Sequence, residues 1–256
     1  MLKIKLFKDA ERASVWVADY FDEFIQKNPS AVLGFATGTS PLLTYKLLQE
    51  KSQQGTDWSD IKSFNLDEFI GVPVEHPESF RSQMTNNLFK GVNIKPKNIF
   101  LPDGLIENAK AEADRYEKQI DKLGGIDLQY ISLGANGHMA YNEPGTSLDT
   151  KTHVGIIADS TRHTLVQQNK FKTFEETPNL AITVGVDTIM RFKQNVMVAL
   201  GESKAESVKL MLEGPVTSSI PSSALQLHKN TIFILDKLSA SKLDLLKFEV
   251  EDLTNF

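Results

Sequence analysis

The chain has 256 residues, of which 41% are apolar and 24% charged, and its formal net charge at pH 7 is -5. This composition is typical of a globular protein with a full core, and the acidic balance gives no support for a nucleic-acid partner. The sequence contains no cysteine, which excludes disulfides, thiolate catalysis and thiolate metal sites.

Short apolar segments alternate along the chain with longer amphipathic ones. The predicted elements, in chain order, are helix 9–28, strand 31–36, helix 42–50, strand 61–66, helix 80–88, strand 98–102, helix 108–123, strands 127–134, 153–158 and 195–200, helix 203–212, strand 231–236 and helix 239–246. This alternation predicts an α/β fold with a doubly wound, mostly parallel sheet flanked by helices. No linker or repeat interrupts it, so we expect a single domain over residues 1–256.

Ligands of such sheets bind beyond the carboxyl ends of the strands, and the first candidate segment follows strand 31–36. Thr37, Gly38, Thr39 and Ser40 form a turn of small residues, and Pro41 suits the first position of a helix. A helix N-terminus entered in this way presents free N–H groups to an anion, phosphate above all. The alternative is an ordinary helix-capping turn, which is common for Ser and Thr.

Two acidic residues, Asp67 and Glu68, come directly after strand 61–66. A carboxylate at the edge of a sheet can serve as a general base when its surroundings tune its pKa. An exposed acidic turn or a helix cap is the more common explanation for such a pair taken alone.

The segment 133–145 follows a third apolar strand. Gly134 and Gly137 allow a sharp turn, and His138 is the one histidine placed directly after a strand. Imidazole titrates near neutral pH and can move protons to and from oxygen. Glu143 is close enough in sequence to orient the ring, and Asn136 could orient the ring or a ligand hydroxyl. The alternative is that His138 caps a helix, but its glycine-rich surroundings favour a functional role.

The other histidines carry no comparable signal. They are His76, His153, His163 and His228, and no two of them have metal-ligand spacing. We therefore expect no metal site. The chain also lacks the GxSxG pattern of serine hydrolases.

Four segments resemble the glucosamine-6-phosphate deaminase (isomerase) family: "TGTSPLLTY", "FNLDEFIGVPVEHPESF", "LGANGHMAYNEPGTSL" and "SSIPSSALQLH". The resemblance runs from about residue 31 to residue 236, with the segments in the family's order. It implies a Rossmann-like fold and the conversion of an amino-sugar 6-phosphate into a ketose 6-phosphate and ammonia. It implies no organic cofactor and a small-molecule sugar phosphate as partner.

The resemblance also implies roles for individual residues. Asp67 matches the base that moves a proton from carbon 2 to carbon 1 of the sugar. His138 matches the group that opens the ring, Glu143 the carboxylate that orients this histidine, and Asn136 a polar neighbour of the pair. The residues that match phosphate contacts are Thr37, Gly38, Thr39, Ser40 and Lys204.

Two departures from the family pattern concern the sugar. Many members have a second glycine where this chain has Thr39, and members specific for glucosamine have an arginine in a lid over the phosphate. Here the lid segment offers Gln167 or Gln168, with Arg162 and Lys170 nearby but out of register. We expect glucosamine-6-phosphate as substrate, with galactosamine-6-phosphate as the alternative.

Regulated members of the family carry basic residues after the "NEP" segment for an effector. His153 and Gly155 stand in that region, so we expect the effector site to be absent or altered, although a homo-oligomer stays possible. A 6-phosphogluconolactonase and a non-catalytic sugar-phosphate sensor are the alternative functions. The apolar segments include no signal-peptide core and no membrane-spanning run, which predicts a soluble, cytoplasmic protein without a membrane partner.

Overall fold

A computed structural model describes residues 2–256. Its strands and helices, in chain order, are β1 (Lys3–Phe7), α1 (Ala10–Lys27), β2 (Val32–Phe35), α2 (Leu42–Gln53), β3 (Lys62–Asn65), β4 (Asp67–Phe69), α3 (Phe80–Asn87), β5 (Ile99–Phe100), α4 (Ala109–Lys122), β6 (Leu128–Ser132), β7 (His153–Ile156), α5 (Asp159–Gln167), β8 (Leu180–Thr183), α6 (Val186–Met190), β9 (Asn195–Ala199), α7 (Ala205–Glu213), β10 (Thr231–Asp236) and β11 (Glu249–Leu253).

The central sheet has eight strands within the described residues, in the order β11-β1-β10-β9-β6-β2-β3-β5. Every pairing in it is parallel. Strands β9 and β10 are buried along their whole length, as expected for a parallel sheet covered by helices on both faces. The predicted fold class is therefore confirmed.

Helix α1 illustrates how the sequence builds this core. Val17, Phe21 and Ile25 recur at helical spacing and are buried. Asp9 caps the helix by accepting a hydrogen bond from the backbone N–H of Arg12 at 3.0 Å. No helix within residues 2–256 is both long and apolar enough to cross a membrane.

A second, smaller sheet joins β4, β8 and β7 in that order, with antiparallel pairing. The predicted strand 153–158 forms β7 of this sheet and does not join the main one. Asp67 and Glu68 do follow a strand, β3, which ends at Asn65, but they themselves lie in β4 of this second sheet, where Asp67 pairs with Thr183 of β8.

Three other sequence predictions need correction. The predicted helix 239–246 is wrong: this segment consists of turns that lead into a 3-10 helix at Leu245–Lys247. Ser239 bonds locally to Asp236, both through its N–H and through its hydroxyl, and such bonds compete with a helix. Strand 98–102 shrinks to β5, because Pro96–Asn98 forms a 3-10 helix. Helix 203–212 begins later, at Ala205.

Candidate active site

One cavity of about 370 Å³ lies beyond the carboxyl ends of four adjacent strands, β9, β6, β2 and β3. The strand order reverses between β2 and β6, which is where doubly wound sheets place their ligands. Eight of the nine residues predicted for the site line this cavity: Thr37, Gly38, Thr39, Ser40, Asp67, Asn136, His138 and Lys204. The ninth, Glu143, is buried behind His138 and contacts it.

The turn after β2 leads into α2, which begins at Leu42 with Pro41 directly before it. Gly38 has a φ of 101°, a left-handed conformation that favours glycine. Thr39 has no positive φ, so the threonine found in place of the family's second glycine fits the backbone without strain. No side chain caps α2, and the turn Thr37–Ser40 that leads into it lines the cavity, an arrangement suited to anion binding at a helix N-terminus.

Lys204 ends the 3-10 helix Glu202–Lys204, which follows β9. Both carboxylate oxygens of Asp236 accept hydrogen bonds from the Gly201 N–H, at 3.1 and 3.0 Å, and so fix this turn. Burial lowers the pKa of Lys204, and no carboxylate within residues 2–256 compensates it. A half-buried ammonium group that lines a cavity without a counter-charge is suited to bind an anion.

Asp67 and Glu68 have separate environments, because successive side chains of a strand point to opposite faces. Glu68 accepts hydrogen bonds at 2.9 Å from the backbone N–H groups of Phe80 and Arg81, and so caps α3. Asp67 lines the cavity and is only 5% exposed. Burial and, second, the adjacent Glu68 carboxylate raise the pKa of Asp67 to about 8. Of the two acids named from the sequence, Asp67 is the candidate base.

The loop after β6 is shaped by two glycines. A side chain at Gly134 would place its Cβ 2.3 Å from Nε2 of His138, so only glycine leaves space for the imidazole. The N–H of Gly134 donates to the carbonyl of His138 at 2.9 Å, which closes the loop. Gly137 has a φ of 86°. Buried Asn142 anchors the loop through bonds to the carbonyls of Met139 and Val184.

His138, Glu143 and Asn136 form a connected group. Nδ1 of His138 lies 3.3 Å from Oε2 of Glu143, and Nδ2 of Asn136 donates to the same oxygen at 2.7 Å. Oδ1 of Asn136 accepts the backbone N–H of His138 at 3.2 Å. A carboxylate at Nδ1 favours the tautomer with its proton on that nitrogen and leaves Nε2 for a ligand. Asn136 therefore orients the glutamate directly and the ring only indirectly.

Helix α5, which was not predicted, contributes a further wall of the cavity. Thr161 and Gln168 line it, whereas Gln167 does not. Of the two basic residues named for this segment, Lys170 lines the cavity and Arg162 does not. The guanidinium of Arg162 instead stacks 3.8 Å from the ring centre of Phe174.

Lys170 joins the α5 side of the cavity to the α3 side. Its Nζ lies 2.8 Å from Oε2 of Glu78, and both side chains are mostly buried. Glu78 Oε2 also accepts from Nε2 of Gln83 at 3.0 Å. Glu78 and its pairing with Lys170 were not found from the sequence, because the two charges face each other only after α3 and α5 have packed around the cavity.

None of the other four histidines lines the cavity. Nδ1 of His76 accepts the N–H of Glu78 at 3.1 Å, and Nε2 of His228 contacts the carbonyl of Phe192 at 2.8 Å. Within residues 2–256, no group of three or more His, Asp or Glu residues is arranged to hold a metal ion.

Residues 8–234 match the model of the family described as glucosamine-6-phosphate isomerases/6-phosphogluconolactonase. The chain belongs to this family. It is 45% identical over 246 residues to a glucosamine-6-phosphate deaminase of Mycoplasmopsis pulmonis, covering 95% of this chain and 96% of the relative. Its identity to a glucosamine-6-phosphate deaminase of Thermoanaerobacter sp. is 40% over 255 residues, covering 97% and 99%.

Solved structures of the same family agree with the fold. A structure described as a monomeric glucosamine-6-phosphate deaminase superposes with a TM-score of 0.91 at 34% identity, covering 94% of this chain and 100% of that one. A 6-phosphogluconolactonase from Trypanosoma cruzi superposes with a TM-score of 0.78 at 21% identity, covering 95% and 97%. At 21% identity, the likeness to the lactonase shows the fold alone. The sequence identities of 34% to 45% place this chain nearer the deaminases of its family.

Proposed function

We propose that the chain converts glucosamine-6-phosphate and water into fructose-6-phosphate and ammonia. The observation that carries this proposal is the chemistry of one cavity. It combines a buried carboxyl group on Asp67, a histidine–glutamate pair, and an uncompensated lysine beside an uncapped helix N-terminus. High identity to proteins named glucosamine-6-phosphate deaminase supports the same substrate.

Phosphate binding anchors the substrate in this proposal. The N–H groups at the start of α2 and the hydroxyls of Thr37, Thr39 and Ser40 donate to the phosphate oxygens, and Lys204 supplies the positive charge. The sugar carbons then extend across the cavity toward Asp67 and His138.

Ring opening is assigned to His138. The ring oxygen gains a proton and the hydroxyl on carbon 1 loses one, so a group that carries a proton near neutral pH is required. Nε2 of His138 performs this transfer while Glu143 holds Nδ1 and stabilises the imidazolium form.

Isomerisation is assigned to Asp67. Its carboxylate removes the proton from carbon 2 of the open-chain aldehyde, and the electrons move to the carbonyl, whose oxygen is protonated. Return of the proton to carbon 1 leaves an iminium group at carbon 2. Water adds there and ammonia leaves, which balances the reaction. The aldehyde acidifies carbon 2, so no organic cofactor is required.

All residues assigned to these steps belong to one chain, so we propose that each monomer holds a complete site. The alternative substrate is galactosamine-6-phosphate, which differs at carbon 4. The observation that favours it is that Gln168, and not an arginine, lines the cavity on the α5 side, beside Lys170 already paired with Glu78.

Side-by-side assays test the proposed function. Ammonia and ketose 6-phosphate are measured with glucosamine-6-phosphate and galactosamine-6-phosphate, and acid release with 6-phosphogluconolactone. We expect the highest kcat/KM with glucosamine-6-phosphate and one ammonia per fructose-6-phosphate. Faster lactone hydrolysis, or binding of amino-sugar phosphates without turnover, would overturn the proposal.

The pH dependence follows from the raised pKa of Asp67. The base works as a carboxylate, so kcat/KM is expected to increase with pH until about 8, the pKa of Asp67 in the free protein. Glu68→Gln removes a negative charge next to Asp67, so the pH range over which kcat/KM increases is expected to shift to lower values. The substrate's own ionisable groups titrate identically in the pH profiles of the wild-type protein and of Glu68→Gln. A difference between the two profiles therefore reports a change in the pKa of a protein group. If the increase of kcat/KM occurs over the same pH range in this variant, the assignment of Asp67 as the base is contradicted.

Removal of the ammonium group in Lys204→Met is expected to act on binding. The binding free energy of a hydrogen bond between charged groups is large enough that its loss should raise KM about 10- to 100-fold, with a smaller change in kcat. Lys209→Met is the matched control, because Lys209 lies on α7, pairs with Glu213 and is 46% exposed. Initial-rate kinetics measure both variants. An unchanged KM in Lys204→Met would remove Lys204 from the phosphate site.

A further inference from the structure

One oxygen of Glu143 is not used by the His138 pair. Asn136 and His138 both contact Oε2. Oε1 is buried, and no hydrogen bond reaches it within residues 2–256. A buried carboxylate oxygen without a donor destabilises the charged form. Glu143, which orients His138, therefore needs one more hydrogen-bond donor, at Oε1.

Thr161 is placed to supply this donor. It lies in the first turn of α5 and lines the cavity. Burial raises the pKa of Glu143, but His138, Thr161 and Asn136 together outweigh burial and hold the pKa below its ordinary value. Thr161 is thus the neighbour of Glu143 that comes from α5, whereas the other two belong to the loop after β6. The next hydroxyl along this helix, on Thr164, donates to the carbonyl of Ser160 at 2.9 Å.

We propose that Thr161 is a positioning residue that donates its hydroxyl to Oε1 of Glu143 and thereby ties α5 to the ring-opening histidine. The inference rests on the proposed function, in which His138 opens the sugar ring. Glu143 would then contact His138 through Oε2 and accept a hydrogen bond from Thr161 of α5 through Oε1. The position of the imidazole then depends on α5 as well as on the loop after β6.

Two variants of Thr161 separate the hydroxyl from the shape of the side chain. Thr161→Val removes the hydroxyl and keeps the branched shape, and Thr161→Ser keeps the hydroxyl. Each is assayed with glucosamine-6-phosphate and with an analogue that lacks the 4- and 5-hydroxyls and cannot form a ring. Thr161→Val is expected to lower kcat about tenfold on the ring-forming substrate, with little change in KM or in turnover of the analogue. Thr161→Ser is expected to restore kcat to within about twofold.

Thr164→Val removes a hydroxyl that lines the same cavity but bonds to the carbonyl of Ser160, and is the control for damage to α5 and to the cavity wall. Equal losses on both substrates in Thr161→Val, or no loss on either, would overturn the inference while leaving the proposed function intact. If the wild-type chain turns over neither compound, the proposed function fails. In that case the ¹⁵N chemical shifts of the His138 ring still decide the contact: they should change in Thr161→Val and not in Thr164→Val. Unchanged shifts would exclude it.

Discussion

Asp67→Asn is expected to lower kcat about 100- to 10,000-fold, because an amide cannot accept the proton from carbon 2 and general bases contribute to this extent. In the reverse direction, exchange of the carbon-1 protons of fructose-6-phosphate with deuterated water in the presence of ammonium, which re-forms the iminium group, should stop as well. Binding of substrate should change little, because the groups assigned to phosphate lie elsewhere in the cavity. Proton NMR in deuterated water measures the exchange, and calorimetry the binding.

The same variant has an expected effect on stability. The pKa of Asp67 is about 8 in the folded protein, above its ordinary value of 3.8. Between these values the folded state holds a proton that the unfolded state has lost, so the free energy of unfolding decreases as pH rises through this range. Asparagine has no such charge to bury. At pH 7 the variant should be more stable by roughly 1 to 4 kcal/mol, and the difference should vanish below about pH 4.

Unfolding in urea at pH 4 and pH 7 measures this effect. Asp60→Asn is a suitable control, because Asp60 is an exposed partner of Lys95 and surface ion pairs contribute little. Near-normal proton exchange in Asp67→Asn would remove its role as base. An activity loss without the gain in stability at pH 7 would contradict the raised pKa.

His138→Gln is expected to lower kcat about 100- to 1,000-fold with the ring-forming substrate, since general acids and bases contribute to this extent. Glutamine can still bond to Glu143 but cannot carry a proton between oxygens. The analogue without the 4- and 5-hydroxyls needs no ring opening, so its turnover should be nearly unchanged. Steady-state rates on the two substrates measure the contrast.

His228→Gln is the matched control for His138→Gln, because His228 contacts the carbonyl of Phe192 just before β10 begins and does not line the cavity. We expect the control to react with both substrates at the wild-type rate. If His138→Gln reduces turnover of the analogue as strongly as turnover of the sugar, His138 acts in a step other than ring opening.

Much of the site could be predicted because its signals are local. The turn Thr37–Ser40 and the loop around His138 each follow directly on an apolar strand, and parallel strands bring their carboxyl ends to one edge. The sequence also indicated the sharp turn at Gly134 and Gly137, whereas the space that Gly134 leaves for the imidazole became visible only in the structure. Lys204 has no such pattern, and only the family resemblance pointed to it.

Other features depend on contacts between distant segments. Asp67 follows strand β3, as expected, but its pairing with Thr183 places it in β4 of the second sheet. The choice between Asp67 and Glu68 required the position of α3, whose N–H groups engage Glu68. Helix α5 is short and has one buried residue, Leu165, so its sequence shows no clear apolar stripe.

Isomerising deamination is tested most directly with glucosamine-6-phosphate that carries deuterium on carbon 2, followed by ¹³C and ²H NMR together with an ammonia assay. We predict equal amounts of ammonia and of a ketose 6-phosphate, with the deuterium gone from carbon 2 in every product molecule. Absence of ammonia, or a sugar product that retains deuterium on carbon 2, would contradict the proposed reaction.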